Sequence, residues 1–405
     1  KTFPRLPLLA LALAGLWSVS TLTACGDDDD DSPINPPPGT GGTGGTGGTG
    51  GTGGTGGTGG TGGQANQPGT FAVSISGEDL SLEGYPFDPA TAQAEGDPPS
   101  FVDGWTIAFD HVLITVGNLR LNAGPDTNPD DPTQLGAEVA RASGPWAVDL
   151  AKPGTVTDKG SGQPGAWALT TLTGNFDPST PYAFSYETLP ASAQATKVGA
   201  FDPAADALYQ EAVTKGWAVV VQGTATFVGK NDVEVDPLFD TFSKPVNFTI
   251  GLANPATYVN CANPDLGAGG DEPPRGVQTL ANQATSVQIT IHTDHLFWDT
   301  LDVEGTPLHF DHIASQALFD AANPAAPGVV TTDDLAAVAI NTMYVRGGTT
   351  TLPSRSYVAD YTPAQGTFVP NPGSTGITTL LDYLEYSQQS GGHMNADGEC
   401  EVVTQ

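Results

Sequence analysis

Four of the six histidines in this 405-residue chain fall between Val287 and His312: His292, His295, His309 and His312. They form two copies of one pattern, His-Thr-Asp-His and His-Phe-Asp-His, among the acids Asp294, Asp299, Asp302, Glu304 and Asp311. No Lys or Arg stands between Arg275 and Arg346 to neutralise those acids. Neutral imidazole together with carboxylate suits Zn, Cu, Ni or Fe. His292, His295, Asp299, His309 and His312 are therefore the candidate ligands of one divalent metal, with zinc or copper foremost. The competing reading is packing. Phe297, Trp298 and Phe310 lie among these histidines, and imidazoles in such company also cap helices and bond to backbone. The spacing fits no zinc-protease pattern, because His-Glu-x-x-His is absent.

The elements that must position these residues can be read in outline. Val287, Ile289 and Ile291 alternate as a strand and lead straight into His292. Thr293 or Asp294 is placed to cap a short helix through Leu301, which would set His295 and Asp299 on one face. Phe310, Ile313, Ala314 and Ala317 have helical spacing, closed by Asn323-Pro324. Thr331 to Asp334 resembles a capping box for a helix to Asn341, and Ile377, Leu380, Leu381 and Leu384 mark another that ends at Gly391-Gly392. This gives 277–405 a mixed strand and helix character. The preceding part, 71–262, reads as β-rich. Strands are expected at 71–76, at 105–121 as one long bent strand or a pair, and at 146–150, 166–172, 182–188, 217–228 and 246–252. One helix interrupts it, with Asp202 as N-cap, Pro203 in the first turn and Gly216 at the end. The fold class is α+β: a sandwich-like β-rich main domain with a helix-containing C-terminal part.

Ahead of this lies a different kind of sequence. Lys1 and Arg5 precede an apolar run from Leu6 to Leu16, too short to span a bilayer stably, which leads into Leu22-Thr23-Ala24-Cys25-Gly26. This resembles the lipobox of bacterial lipoproteins. The resemblance implies a signal peptide over 1–24, cleavage before Cys25 and diacylglycerol on its thiol. Residues 25–70 then read as a linker, with an acidic run at Asp27–Asp31 and eight Thr-Gly-Gly repeats from Thr40 to Gly63. Gly-rich chain of this kind does not fold. Over 24 residues it has a typical span of about 25–30 Å. The lipobox, this tether, Asp103-Gly104-Trp105 and the Thr293–Asp299 segment together resemble a group of bacterial envelope lipoproteins of unassigned function. That resemblance implies a lipid-anchored place in the bacterial cell envelope, at the outer membrane or cell surface, and carries no activity with it.

With Cys25 lipidated, two thiols remain, Cys261 and Cys400. Two thiols in an exported protein are expected to pair. Such a bridge closes a loop of more than 100 residues, for which chain entropy suggests roughly 4–5 kcal/mol. The stretch Asn323–Asp334 has the outline of a calcium loop, with Gly328 sixth and Asp334 twelfth. Ala325 and Pro327 stand where oxygen ligands are needed, so calcium is not expected there. There is no Gly-x-Ser-x-Gly elbow and no Cys-His nucleophile pair, and the Gly-rich run has no strand before it.

Charge narrows the partners. Beyond residue 25 the chain holds 11 basic against 45 acidic residues, a formal charge of −34. Such a surface repels phosphate backbones, which excludes nucleic acid, and favours cations or cationic partners. Three readings follow. The first is a non-catalytic, lipid-anchored envelope protein that binds a divalent metal or a partner through the His/Asp cluster. The second is a metal-dependent hydrolase or oxidoreductase, and the third a structural or adhesive surface protein with no metal. The anchor itself can be tested directly. Cys25→Ala should abolish lipid incorporation and release the protein from membranes, read by metabolic lipid labelling and fractionation. A variant that still fractionates with membranes, beside a wild type carrying no lipid, would remove the anchor from the account.

Overall fold

The computed structural model describes residues 69–87, 101, 103–125, 127–128, 131–199, 201–229, 244–267, 273–279, 284–298, 308–340 and 377–404. The Leu6–Leu16 run, the Leu22–Cys25 motif, the acidic run and the Thr-Gly-Gly repeat lie outside the described residues, as do Asp299, Asp302 and Glu304.

Two mixed sheets share one hydrophobic core, a β-rich, sandwich-like arrangement with a few helices. The strands are β1 (Thr70–Ser76), β2 (Trp105–Ala123), β3 (Glu138–Ala142), β4 (Trp146–Asp149), β5 (Val156–Thr157), β6 (Pro164–Thr173), β7 (Pro181–Thr188), β8 (Thr196–Val198) and β9 (Val219–Phe227). They continue as β10 (Val246–Leu252), β11 (Ala256–Val259), β12 (Val277–Gln278), β13 (Ala284–Ile291), β14 (Gly328–Thr331), β15 (Gly392–Met394), β16 (Gly398–Glu399) and β17 (Glu401–Thr404). The smaller sheet runs β16-β15-β13-β1-β6-β5, and the larger runs β14-β10-β9-β2-β7-β11-β17 with short strands at its margins. The smaller sheet takes β1, β5 and β6 from 71–262 and β13, β15 and β16 from 277–405, so the two ranges meet inside one sheet.

The long strand β2 shows why the pattern looks as it does. Its ends alternate, with Trp105 and Ile107 buried at one end and Leu119 and Leu121 at the other. Its middle, His111 to Gly117, is buried at every position. There the helix α2 (Pro203–Lys215) covers the outer face with Leu208, Tyr209 and Ala212, against Leu113, Ala147 and Val220. A strand buried on both faces loses its alternation. Register shifts between Phe109 and His111 and between Gly117 and Arg120 bend it, as bulges do. The ends of α2 are as its residues suggest: the Asp202 carboxylate accepts from the amides of Ala204 and Ala205, and Gly216 closes the helix with φ 75°, where a side chain would be strained.

The helices of the C-terminal part are shorter than their spacing predicts. In place of a helix to Leu301 there is one 3-10 turn, Asp294–Phe297. Trp298 turns extended to form a bridge with Leu308, which ends it. The helix expected to reach Asn323 is four residues, α3 (Asp311–Ala314), because Leu318 leaves to bridge Val329. Thr331 and Asp334 do form a capping box, but the helix they open, α4 (Thr332–Ala336), stops five residues short of Asn341. The helix Leu380–Gln389 carries a second such box, between Thr379 and Asp382. Within the calcium-loop outline, Gly328–Thr331 is the edge strand β14, and the Asp334 carboxylate is spent on the amide and hydroxyl of Thr331.

Cys261 and Cys400 are joined in a disulfide. It lies beside the antiparallel pairing of β11 with β17 and so ties the last strands to the larger sheet. Reducing it should lower unfolding stability by about 2–4 kcal/mol, read as a drop in denaturant midpoint. Thiol labelling after denaturation without reductant should find neither cysteine; two labelled cysteines would contradict the bond.

Candidate metal site

The register of the smaller sheet sets the site. β1 and β13 run parallel, with Ser76 opposite Thr290. On the other side of β13, β15 runs antiparallel, with His393 opposite Thr290. The two parallel strands end at the same edge, so the residues just past them, Glu78 and His292, emerge side by side. His292 leaves β13 with its amide bonded to the carbonyl of Gly391, 2.8 Å away, and the chain turns at once into the 3-10 helix that carries His295.

Three histidines converge there. His292, His295 and His393 each offer a ring nitrogen, and these nitrogens all lie within 4.8 Å of one another, so the group could hold a metal ion. The His292 and His393 rings stack at 4.2 Å, and His295 stacks on Trp298 at 3.7 Å. Two nitrogens on one tetrahedral zinc lie roughly 3.3–3.4 Å apart, given bonds of about 2.0–2.1 Å. The rings therefore need to close by up to about an ångström and a half.

The tautomers follow from one serine. Ser390 Oγ donates to the carbonyl of Ser387, 2.8 Å away, so it accepts from His295 Nδ1, also at 2.8 Å. That leaves the lone pair of His295 on Nε2. The Ser390 carbonyl accepts from His393 Nε2 at 3.1 Å, which leaves the lone pair of His393 on Nδ1, a buried atom with no hydrogen-bond partner. His292 Nε2 is likewise buried and without a hydrogen bond. Outer hydrogen bonds of this kind orient ligand rings and select the metal-binding tautomer.

The surrounding packing holds these groups in place. Ser387 Oγ donates to the carbonyl of His295, and Tyr383 Oη to that of Trp298. Tyr85 and Thr293 bond through their hydroxyls at 2.8 Å, fully buried. Gly392 lies on the stacked pair Tyr186 and Tyr258, whose rings are 4.6 Å apart. A Cβ at Gly392 would come within 2.2 Å of the Tyr258 ring, so glycine is needed for this close approach. Tyr186 Oη donates to the carbonyl of the next residue, His393.

Burial holds His295 and His393 neutral. His295 is pushed well below the usual histidine range by burial and by the neighbouring His393 and His292. Burial and His292 take His393 down to about 3. The acids move the other way. Burial and the nearby Asp158, Asp397, Asp294 and Asp79 raise Glu78 to about 8. Asp294 is raised by burial, with His292 opposing. Neutral imidazoles beside crowded acids form a site suited to a cation.

The residues chosen from sequence divide. His292 and His295 meet in the site. His309 and His312 do not join the group and are buried in the core, 2% and 0% exposed. Their neighbour Asp311 takes the Trp105 indole N–H at 2.8 Å, while Asp103 accepts the amides of Phe310 and Asp311. Asp299 lies outside the described residues. His393, the third member, escaped notice because it stands alone in sequence; only the three-residue strand β15 brings it to β13.

Comparison with protein-family models, curated proteins and solved structures finds no match to this chain.

Two opposed pH effects follow. A histidine whose pKa falls on folding stays neutral in the fold while the unfolded chain protonates, so stability drops as pH falls from about 6.5 towards 3, by about 1.4 kcal/mol per pH unit for His393. An acid raised to about 8 binds its proton more readily when folded, so Glu78 lowers stability as pH rises from about 4.5 to 8. Denaturant unfolding of the metal-free protein should show His393→Asn flattening the acid limb and Glu78→Gln flattening the limb above pH 6.5. Unchanged slopes in both variants would refute these assignments.

Proposed function

We propose that this is a lipid-anchored protein of the bacterial cell envelope whose folded part binds one divalent transition metal, zinc or copper, through His292, His295 and His393. The observation that carries the reading is the convergence of three imidazoles from two separate segments, two of them with tautomers set by Ser390. Cys261 and Cys400 are both consumed in the disulfide, so the donor set is imidazole and carboxylate, which suits these metals. The lipobox-like Leu22–Cys25 and the Thr-Gly-Gly tether support a folded part carried clear of a membrane surface. The strongly acidic chain supports cations, and not nucleic acid, as its company.

The test is calorimetric titration of the chelator-treated, detergent-solubilised chain with zinc and with copper, beside a His292→Ala/His393→Ala double variant. Wild type should bind one ion, and the double variant should lose at least 100-fold in affinity. Equal affinity in the two proteins, or no binding by either, would return these histidines to a packing role.

A further inference from the structure

We infer that Glu78 is the fourth ligand of this centre, making it a three-imidazole, one-carboxylate site. The inference rests on the metal reading above and adds to it the donor that sequence spacing gives no reason to suspect, since more than 200 residues separate Glu78 from His292.

Position is the first argument. Ser76 faces Thr290 across the parallel strands, so two residues further along Glu78 comes level with His292. Glu78 Oε2 lies 3.6 Å from His292 Nε2. That is close to the roughly 3.3 Å separating two donors of a single tetrahedral ion. It is too long for a hydrogen bond between them. Two donor atoms thus face each other with the spacing of co-ligands and no bond of their own.

The state of the carboxylate is the second. Its other oxygen, Oε1, is buried without a hydrogen-bond partner. The acids Asp158, Asp397, Asp294 and Asp79 crowd it, and the ring of His292 stands beside its Oε2. The Lys159 ammonium, one residue before Gly160, pairs with Asp265. The carboxylate is partly exposed and crowded by other acids, with the His292 ring as its neighbour, and an ion held by the three imidazoles would bring it a full positive charge. The backbone holds Glu78 in place at some cost: φ is 57°, left-handed for a residue with a side chain, and its amide donates to Ser76 Oγ at 2.8 Å. Space is left for the side chain by Gly160, where a Cβ would sit 2.4 Å from Glu78 Oε1.

Coordination then requires the Glu78 side chain to swing from the His292 side of the cluster into the ring of nitrogens as they close. The resulting set, three neutral nitrogens and one anionic oxygen, is that of a four-coordinate zinc or related late first-row ion. The ion would link the β1–α1 junction, with α1 at Glu78–Glu83, to β13 and β15.

The experiment uses the full chain in detergent, with zinc and cobalt(II) as probes. Glu78→Gln keeps the shape and removes the anionic donor; Glu78→Asp keeps the charge on a shorter arm. Zinc affinity should fall on the order of 100-fold or more in Glu78→Gln, at or beyond the upper end of the ~10–100-fold that an outer-sphere change costs, and by less in Glu78→Asp. The cobalt(II) absorption of wild type should differ in band position and intensity from that of Glu78→Gln. In wild type alone, the metal-minus-apo infrared spectrum should show a carboxylate band shifting on binding, a readout that needs no variant to fold. If wild type binds and the His292→Ala/His393→Ala variant does not, while Glu78→Gln keeps wild-type affinity and cobalt spectrum, Glu78 is not a ligand and the three-histidine reading stands. If wild type binds neither ion, both fall together.

Discussion

Everything at the site depends on the parallel pairing of β1 with β13. Seven residue pairs, from Thr70↔Ala284 to Ser76↔Thr290, fix it. The register is held by burial: Phe71, Val73 and Ile75 on one strand and Val287, Ile289 and Ile291 on the other are all within 2% of full burial. A slip of one residue would turn each of these sets to the opposite face. Because the strands are parallel, their ends coincide, and Glu78 and His292 leave the sheet together. The β15 hairpin then adds His393 on the far side of β13, and the disulfide and the Tyr186–Tyr258 pair hold that hairpin against the larger sheet.

The cost of building this site is visible in its polar atoms. Thr290 and Gln288 lie fully buried in the middle of β13, positions where a sandwich ordinarily places apolar side chains. They are satisfied by the other elements that meet there. Gln288 accepts the amide of Lys159 and donates to Asp158, while Asn395 accepts the Gln288 amide. Thr290 accepts the amide of Ala396. The loops carrying Asp158 and Asn395 are therefore tied to β13 by hydrogen bonds worth about 1 kcal/mol each and expensive to break singly. In the histidine pocket the balance is different: His292 Nε2, His393 Nδ1 and Glu78 Oε1 are buried without hydrogen bonds.

Where local signals were strong, sequence and structure agree. Asp202, Pro203 and Gly216 bound α2 as their chemistry requires, and Val287, Ile289 and Ile291 mark β13. Local signals misled where tertiary contacts overrode them. The repeated His-x-Asp-His pattern suggested one site with four histidines. The second copy lies outside the three-histidine group, buried where Asp311 binds the Trp105 indole and the His309 amide bonds to the carbonyl of Phe297. The helical spacing after Phe310 gave way to the bridge between Leu318 and Val329. His393 and Glu78 were illegible for a different reason. Neither belongs to a local pattern, and each reaches the site through strand pairing across the chain, information that a periodicity of two or 3.6 residues does not contain.

The charge distribution gives the arrangement its direction. A chain with 45 acidic residues is rich in negative charge, and carboxylates in water carry that charge at little cost. Glu78 and Asp294 do not, since both are raised by burial. Imidazoles that answered them by taking up protons would neutralise the cluster in the manner of an ordinary ion pair. Burial and mutual repulsion prevent this in His295 and His393, which stay neutral far below pH 7. The acids thus keep their own protons, which a bound cation would displace, while these two imidazoles are barred from supplying positive charge as protons. A cation that binds lone pairs, and so uses the neutral form of the rings, meets both conditions at once. Ser390 binds one ring nitrogen each of His295 and His393 and so fixes both rings beside His292, where the three offer nitrogens within 4.8 Å of one another.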